Sequence, residues 1–262
     1  ECRDERADIA AAVVQHREPF ACHRGIISRA GGETPGMQSF RAGVTLALVA
    51  LLLPLVAGAA GGELDVPPGF TLERIATVPA ARELAVAPNG DLFAGTSGSA
   101  VYVVPGAQGT PGAPKVFVRL DDQPVASVTI AGERMYLGAQ FGVYELPYHA
   151  GDRTPRERPR KIASVRTSGQ SRDHVTTTVA VSGQTLYASV GSSCNNCSPD
   201  LDATRATIQQ MSLDGANVTP KAKRVRNAMA LAVNPQSGTL CAGVAGQDEL
   251  ERGHPYEMFY PI

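Results

Sequence analysis

Tryptophan is absent from this chain of 262 residues, histidine occurs only five times, and the formal net charge is −1. A chain without an excess of either sign creates no long-range field, so its composition offers nothing to nucleic acid or an anionic membrane. A small neutral partner is easier to reconcile with it. Long apolar runs are scarce too: the stretch from Val44 to Val56 falls short of the roughly 20 residues that span a bilayer. There are five cysteines, and two of them form the motif CNNC at Cys194 and Cys197. Ser198 stands where covalent haem attachment wants histidine, no second such pair exists for a zinc ribbon, and the motif runs into Pro199 where a thioredoxin site would open a helix. What remains is a small loop disulfide in an oxidising compartment.

What the chain does contain is turn chemistry, with 27 glycines and 19 prolines punctuating short runs of Val, Thr and Ala. That pattern predicts an all-β fold of many short strands. From Met37 the order is different: Arg41, the apolar run, then the small residues Ala57, Gly58, Ala59 and Ala60. This is the layout of a secretory signal peptide, so residues 37–62 are expected to direct export, with cleavage near Ala59 to Gly62. Residues 1–36 are read as an unstructured upstream extension that is not part of the mature protein. The alternative is a genuine amino-terminal domain, but that stretch contains a single short helix-like segment and could not bury a core alone.

Residues 63–262 repeat one layout of apolar strand, tight turn and second strand ending in small residues. The turns fall at Asn89-Gly90, Gly132, Gly183 and Ser237-Gly238, so consecutive turn glycines lie 42, 51 and 55 residues apart. This period suits the blades of a β-propeller, four strands to a blade. A β-sandwich would explain the strands but not the recurrence. Alternation such as Leu84 and Val86, then Leu92 and Ala94, is expected because a blade buries both faces against its neighbours. Four such hairpins fit, fewer than a closed ring usually needs, and the chain is therefore expected to be truncated at its carboxyl end.

Three places carry candidate chemistry. His174, flanked by Arg172 and Asp173, precedes a buried strand at a point where propellers aim side chains at the central channel, and a histidine there can accept a proton near neutral pH. The bland alternative is a histidine that only hydrogen-bonds a strand end. Arg226 and Asn227 occupy the same place one repeat later, so the two polar entries would converge on one channel mouth. Gly246, Gln247, Asp248 and Glu249 follow the next strand and offer hard oxygen ligands of the type that suits Ca²⁺, or else form an ordinary solvated loop. The basic run from Asp152 to Lys161 is broken by proline and mixed in sign, and reads as a solvated loop between blades rather than a phosphate site.

Taken in order, "PPGFTLERIATVPAARELAVAPNGDLFAGT", His174 before "LYASVGSS", "RNAMALAVNPQSGTL" and "GQDEL" resemble the soluble sugar dehydrogenases that use pyrroloquinoline quinone (PQQ), in particular the glucose/sorbosone dehydrogenase group that includes L-sorbosone dehydrogenases. The resemblance covers most of the chain after Val66 and implies a six-bladed propeller, of which this chain would form about four blades. It implies that His174 is the general base, that Arg226 stabilises charge on the quinone oxygen, that Asn227 and Gln247 help hold the quinone, and that the Gly246 and Gln247 carbonyls ligate Ca²⁺. The family's glycine-rich lead into the Asp-Glu pair is shortened here to "VAGQDEL". The partners implied are a sugar or aldehyde substrate and an electron acceptor such as a cytochrome or quinone, in the periplasm or outside the cell. A non-catalytic propeller used as a binding platform is the competing class. A calcium-dependent lactonase would need several inward carboxylates, where the strand starts here offer mainly His, Arg and Asn.

Overall fold

A computed structural model describes a strand at Ala10–Val14 and residues 67–68, 72–166, 174–250 and 256–262. All regular structure in these residues is β, with no helix among them. Strand β1 (Ala10–Val14) pairs antiparallel with β2 (Leu72–Thr77). These five residues thus form a strand within the stretch expected to be unstructured. The remainder of that stretch, and the segment 37–62 read as a signal peptide, lie outside the described residues.

The repeats become successive antiparallel sheets. The first is β3 (Ala81–Val86), β4 (Leu92–Thr96), β5 (Ala100–Val104) and β6 (Lys115–Arg119); the second is β7 (Val125–Ala131), β8 (Arg134–Ala139), β9 (Gly142–Pro147) and β10 (Arg160–Ser164). A single pairing of Thr96, at the end of β4, with Val125, at the start of β7, joins the two. The third is β11 (Val179–Ser182), β12 (Thr185–Val190), β13 (Thr207–Ser212) and β14 (Thr219–Lys223), and the fourth is β15 (Ala228–Val233), β16 (Leu240–Val244) and β17 (Met258–Pro261). The tail segment that carried no expectation of its own supplies β17, paired to β16 from Cys241↔Pro261 to Val244↔Met258.

Each sheet begins with one of the hairpins read from the sequence. Gly90, Gly132, Gly183 and Gly238 all adopt positive φ, between 56° and 82°, which an L side chain resists and a tight turn requires. The small residues that close the second strand have an equally definite cause. A Cβ on Gly95 would lie 2.2 Å from the Ala126 carbonyl oxygen, and one on Gly138 2.0 Å from that of Thr177. Glycine lets the first strand of the next sheet pass backbone against backbone.

The core is a series of seams between neighbouring sheets. Phe93 and Phe117 of the first sheet meet Tyr148 beside the second edge-to-face, with ring centroids 5.0, 5.3 and 6.2 Å apart. Tyr136 and Val143 then pack on Val179 and Leu186, and Ala180 and Ile208 pack on Ala228 and Leu240. A chain of side-by-side sheets, in which the second and third are packed between the one before and the one after, is the arrangement of propeller blades. Polar groups from all four first strands also converge: Thr178 Oγ1, at the entrance to β11, donates to Glu83 Oε1 of β3 at 2.5 Å and lies 3.3 Å from the Ala228 carbonyl of β15. Ser127 of β7 bonds the same Glu83 carboxyl.

Two expectations need correction. Leu92 and Ala94 are fully buried, but Leu84 and Val86 are 41% and 46% exposed, because no described sheet packs on that face of β3. The run from Asp152 to Lys161 does not lie between blades. It joins β9 to β10 within the second sheet, and its last two residues begin β10. Three of its four arginines form ion pairs: Arg156 with Asp152 at 2.8 Å, Arg160 with Glu145 at 2.9 Å, and Arg153 with the buried Asp91. Burial alone would raise the Asp91 carboxyl, but the Gly106 N–H, Asn89 and Arg153 outweigh it and hold it below its ordinary value.

Candidate functional site

Three strand ends meet at one rim of the third and fourth sheets, tied by backbone hydrogen bonds. His174 N–H donates to the Ser192 carbonyl at 3.0 Å, Ser192 N–H donates to the Arg226 carbonyl at 2.7 Å, and Ala245 N–H donates to the Asn227 carbonyl at 2.9 Å. Ser192 follows β12, Arg226 and Asn227 lead into β15, and Ala245 follows β16. His174, Arg226, Asn227 and the Gly246-Gln247 pair, widely separated in sequence, therefore share one rim. Arg172 and Asp173 lie outside the described residues.

The histidine is held in one tautomer. Its Nδ1 lies 3.0 Å from the Ser192 carbonyl oxygen and 3.0 Å from Ser192 Oγ. The carbonyl can only accept, and the Ser192 hydroxyl donates its own hydrogen to the Cys194 carbonyl at 2.7 Å. Nδ1 must then carry the proton, which leaves the lone pair on Nε2. Burial lowers the imidazole below its ordinary value; the Ser192 carbonyl opposes this, Arg226 and Arg205 add to it, and Asp248 works the other way. The ring is consequently an uncharged base at neutral pH.

Arg226 is fixed by four acceptors. Nε donates to the Asn195 carbonyl at 2.8 Å, Nη1 to the Ala245 carbonyl at 3.3 Å, and Nη2 to Asn195 Oδ1 and Asp248 Oδ2, both at 2.7 Å. Asn227 is buried, and its Oδ1 has no hydrogen-bond partner among the described residues. A buried acceptor without a donor is costly unless something supplies one. Glycine 191 makes room for this arrangement: a Cβ there would lie 2.4 Å from His174 Cβ and 3.1 Å from Asn227 Oδ1.

Gly246 and Gln247 are half-buried. The Gly246 N–H donates to Glu257 Oε2 at 3.1 Å, and the adjacent Asp248 carboxylate is committed to Arg226. Among the described residues no three acidic, histidine or cysteine side chains cluster as a metal site. Asn227 Oδ1 is thus a buried acceptor still lacking a donor among the described residues, and a cation here would depend on the Gly246 and Gln247 carbonyls.

Sequence reasoning missed Arg205, Ser192 and Asn195. The buried Arg205 donates to the His174 carbonyl at 3.0 Å, the Ser192 carbonyl at 3.2 Å and the Arg166 carbonyl, so it holds the backbone on which the histidine rides. Nothing in its local sequence marks it, because its partners come from two other segments. Asn195 carried a signal, an amide side chain between two cysteines straight after a strand.

No family model and no curated protein sequence matches the chain. Among solved structures it is similar to the holo form of the PQQ domain of pyranose dehydrogenase from Coprinopsis cinerea, at 17% identity and TM-score 0.58, over 70% of this chain and 50% of that one. It is similar to the Trichoderma reesei carbohydrate-active enzyme of family AA12 in its iodide structure, at 21% identity and TM-score 0.55, over 69% of this chain and 51% of that one. The PQQ-bound aldose sugar dehydrogenase of Streptomyces coelicolor matches at 17% identity and TM-score 0.51, over 72% of this chain and 61% of that one. The chain shares their fold. It spans about half the length of the first two. The partial β-propeller expected from the repeats is therefore the fold found, and it is a fold used by the quinone-binding sugar dehydrogenases that the motifs resemble.

Proposed function

We propose that this chain forms part of the working face of an exported sugar or aldehyde dehydrogenase of the glucose/sorbosone group. The observation that carries the reading is the pairing of an uncharged, oriented His174 with a fixed Arg226 cation around the unpartnered Asn227 Oδ1. Pyrroloquinoline quinone, when bound, supplies the acceptor for a hydride. His174 Nε2 takes the substrate hydroxyl proton, for which a positioned base contributes roughly 10²–10⁴-fold. Arg226 places positive charge where an oxyanion develops, and does so without reorganising, because its acceptors already fix it. Asn227 and Gln247 would help to hold the cofactor, and the Gly246 and Gln247 carbonyls are the candidate Ca²⁺ ligands. The substrate is an aldose, sorbosone or related aldehyde, and a cytochrome or quinone acceptor removes the electrons.

A signal segment at 37–62 and the disulfide between Cys194 and Cys197 both suit the periplasm or the cell exterior. Titrating the chain with the quinone and Ca²⁺, then following dye reduction over a panel of sugars, tests the reading. Saturable quinone binding with sugar-dependent dye reduction is expected. Absence of quinone binding would overturn it in favour of a propeller used as a binding platform.

A further inference from the structure

The Cys194–Cys197 loop takes no part in the proposed chemistry, yet it touches Arg226 directly and is linked to His174 through Ser192. Asn195 accepts Arg226 Nε at its backbone carbonyl and Arg226 Nη2 at Oδ1, at 2.8 and 2.7 Å. The same Oδ1 accepts the Asp248 N–H at 2.9 Å, and Nδ2 donates to the Asp248 carbonyl at 2.9 Å. On its other side the loop reaches the histidine, since the Cys194 carbonyl orients the Ser192 hydroxyl that faces His174 Nδ1.

We propose that the disulfide-closed Cys194–Cys197 loop is a clamp that sets His174 and Arg226 in register across two blades, with Asn195 as its positioning residue. Relative strengths favour Asn195 over the obvious salt bridge. The Asp248 side chain is 73% exposed while that of Arg226 is 17% exposed, and an ion pair with a solvated carboxylate contributes little. The bonds to Asn195 leave a less hydrated partner, and each is a hydrogen bond to a charged group. An unrestrained arginine spreads over many rotamers, whereas a four-residue loop closed by a disulfide has few conformations to lose. The clamp thus fixes a long side chain through a short, stiff one. Its consequence for turnover rests on the dehydrogenase reading, but its geometry does not.

The test uses the whole chain without quinone and measures hydrogen exchange at the Arg226 Nη2 protons, which face Asn195 Oδ1, and at the Asp248 backbone N–H by nitrogen-15 NMR. In Asn195→Ala both are expected to exchange about tenfold faster or more, as for the loss of one hydrogen bond to a charged group, while the Val103 amide in the first sheet stays unchanged. Asn195→Asp, which keeps the Oδ1 acceptor but not the Nδ2 donor, is expected to preserve slow exchange at Arg226. Replacing both cysteines by serine is expected to accelerate exchange at Arg226. Unchanged Arg226 exchange in Asn195→Ala, or acceleration shared equally by Val103, overturns the clamp. A parallel quinone titration separates the two claims: faster Arg226 exchange in a protein that never binds quinone upholds the clamp and sinks the dehydrogenase reading. Tight quinone binding with Arg226 exchange unaltered by Asn195→Ala does the reverse.

Discussion

Glu83→Gln is expected to remove a pH dependence of stability that the convergence of the blades creates. The carboxyl sits on β3, hydrogen-bonded by Thr178 and Ser127 from the first strands of two other sheets. Burial raises it from 4.5 to about 7, against the opposing effects of the Ser127 and Thr178 hydroxyls and of Arg82. In the unfolded chain the group titrates near its ordinary value. Between roughly pH 4.5 and pH 7 the native state therefore holds a proton that the unfolded state has released, and stability falls as pH rises. The contribution is fully present below the unfolded value and is lost as pH passes through about 7. A displacement of this size corresponds to about 3 kcal/mol, taken as an upper estimate. Urea unfolding followed by tyrosine fluorescence, at pH 5 and at pH 8, measures it. Glutamine has the same shape and does not titrate, so the other ionisable groups cancel when the variant is compared with the parent. Relative to the parent, Glu83→Gln should gain up to about 3 kcal/mol between pH 5 and pH 8. An equal difference at both pH values would refute the claim that burial governs this carboxyl.

Two further substitutions probe the seams and the rim. Gly138→Ala would drive a methyl group into the Thr177 carbonyl and should cost about 1–3 kcal/mol in chemical denaturation, whereas Gly98→Ala, with only Thr96 Oγ1 at 3.7 Å, should be close to neutral. In a quinone-loaded protein His174→Ala should lower kcat by roughly 10²-fold or more with quinone affinity little changed, while Arg226→Ala should weaken both; full dye-reducing activity in His174→Ala would remove the base assignment.

The blade plan was legible because it is local. A hairpin turn needs positive φ, glycine supplies it, and the recurrence of Gly90, Gly132, Gly183 and Gly238 reports the period directly. The small residues closing each second strand were visible as a pattern, but their cause was not, since the atoms that forbid a side chain at Gly95 and Gly138 belong to the next sheet. The loop from Asp152 to Lys161 was misplaced for a related reason. Its charge pattern is local, whereas the register that draws Arg160 and Lys161 into β10 is set by β9. Leu84 and Val86 were read as buried because alternation records which face of a strand is apolar, not whether anything covers it.

The sequence alone determined the hairpins, their spacing, and the position of Arg226 and Asn227 at the entrance to β15, because each depends on neighbours within a few residues, whereas His174 stands five residues ahead of β11. Only the tertiary structure decided that these side chains share one rim, that Ser192 fixes the tautomer of His174, and that Asn195 and Asp248 share Arg226. Those contacts join residues from 18 to 31 positions apart. A hydrogen bond depends on distance and angle in space, and the chain brings such partners together only after the seams between sheets have formed.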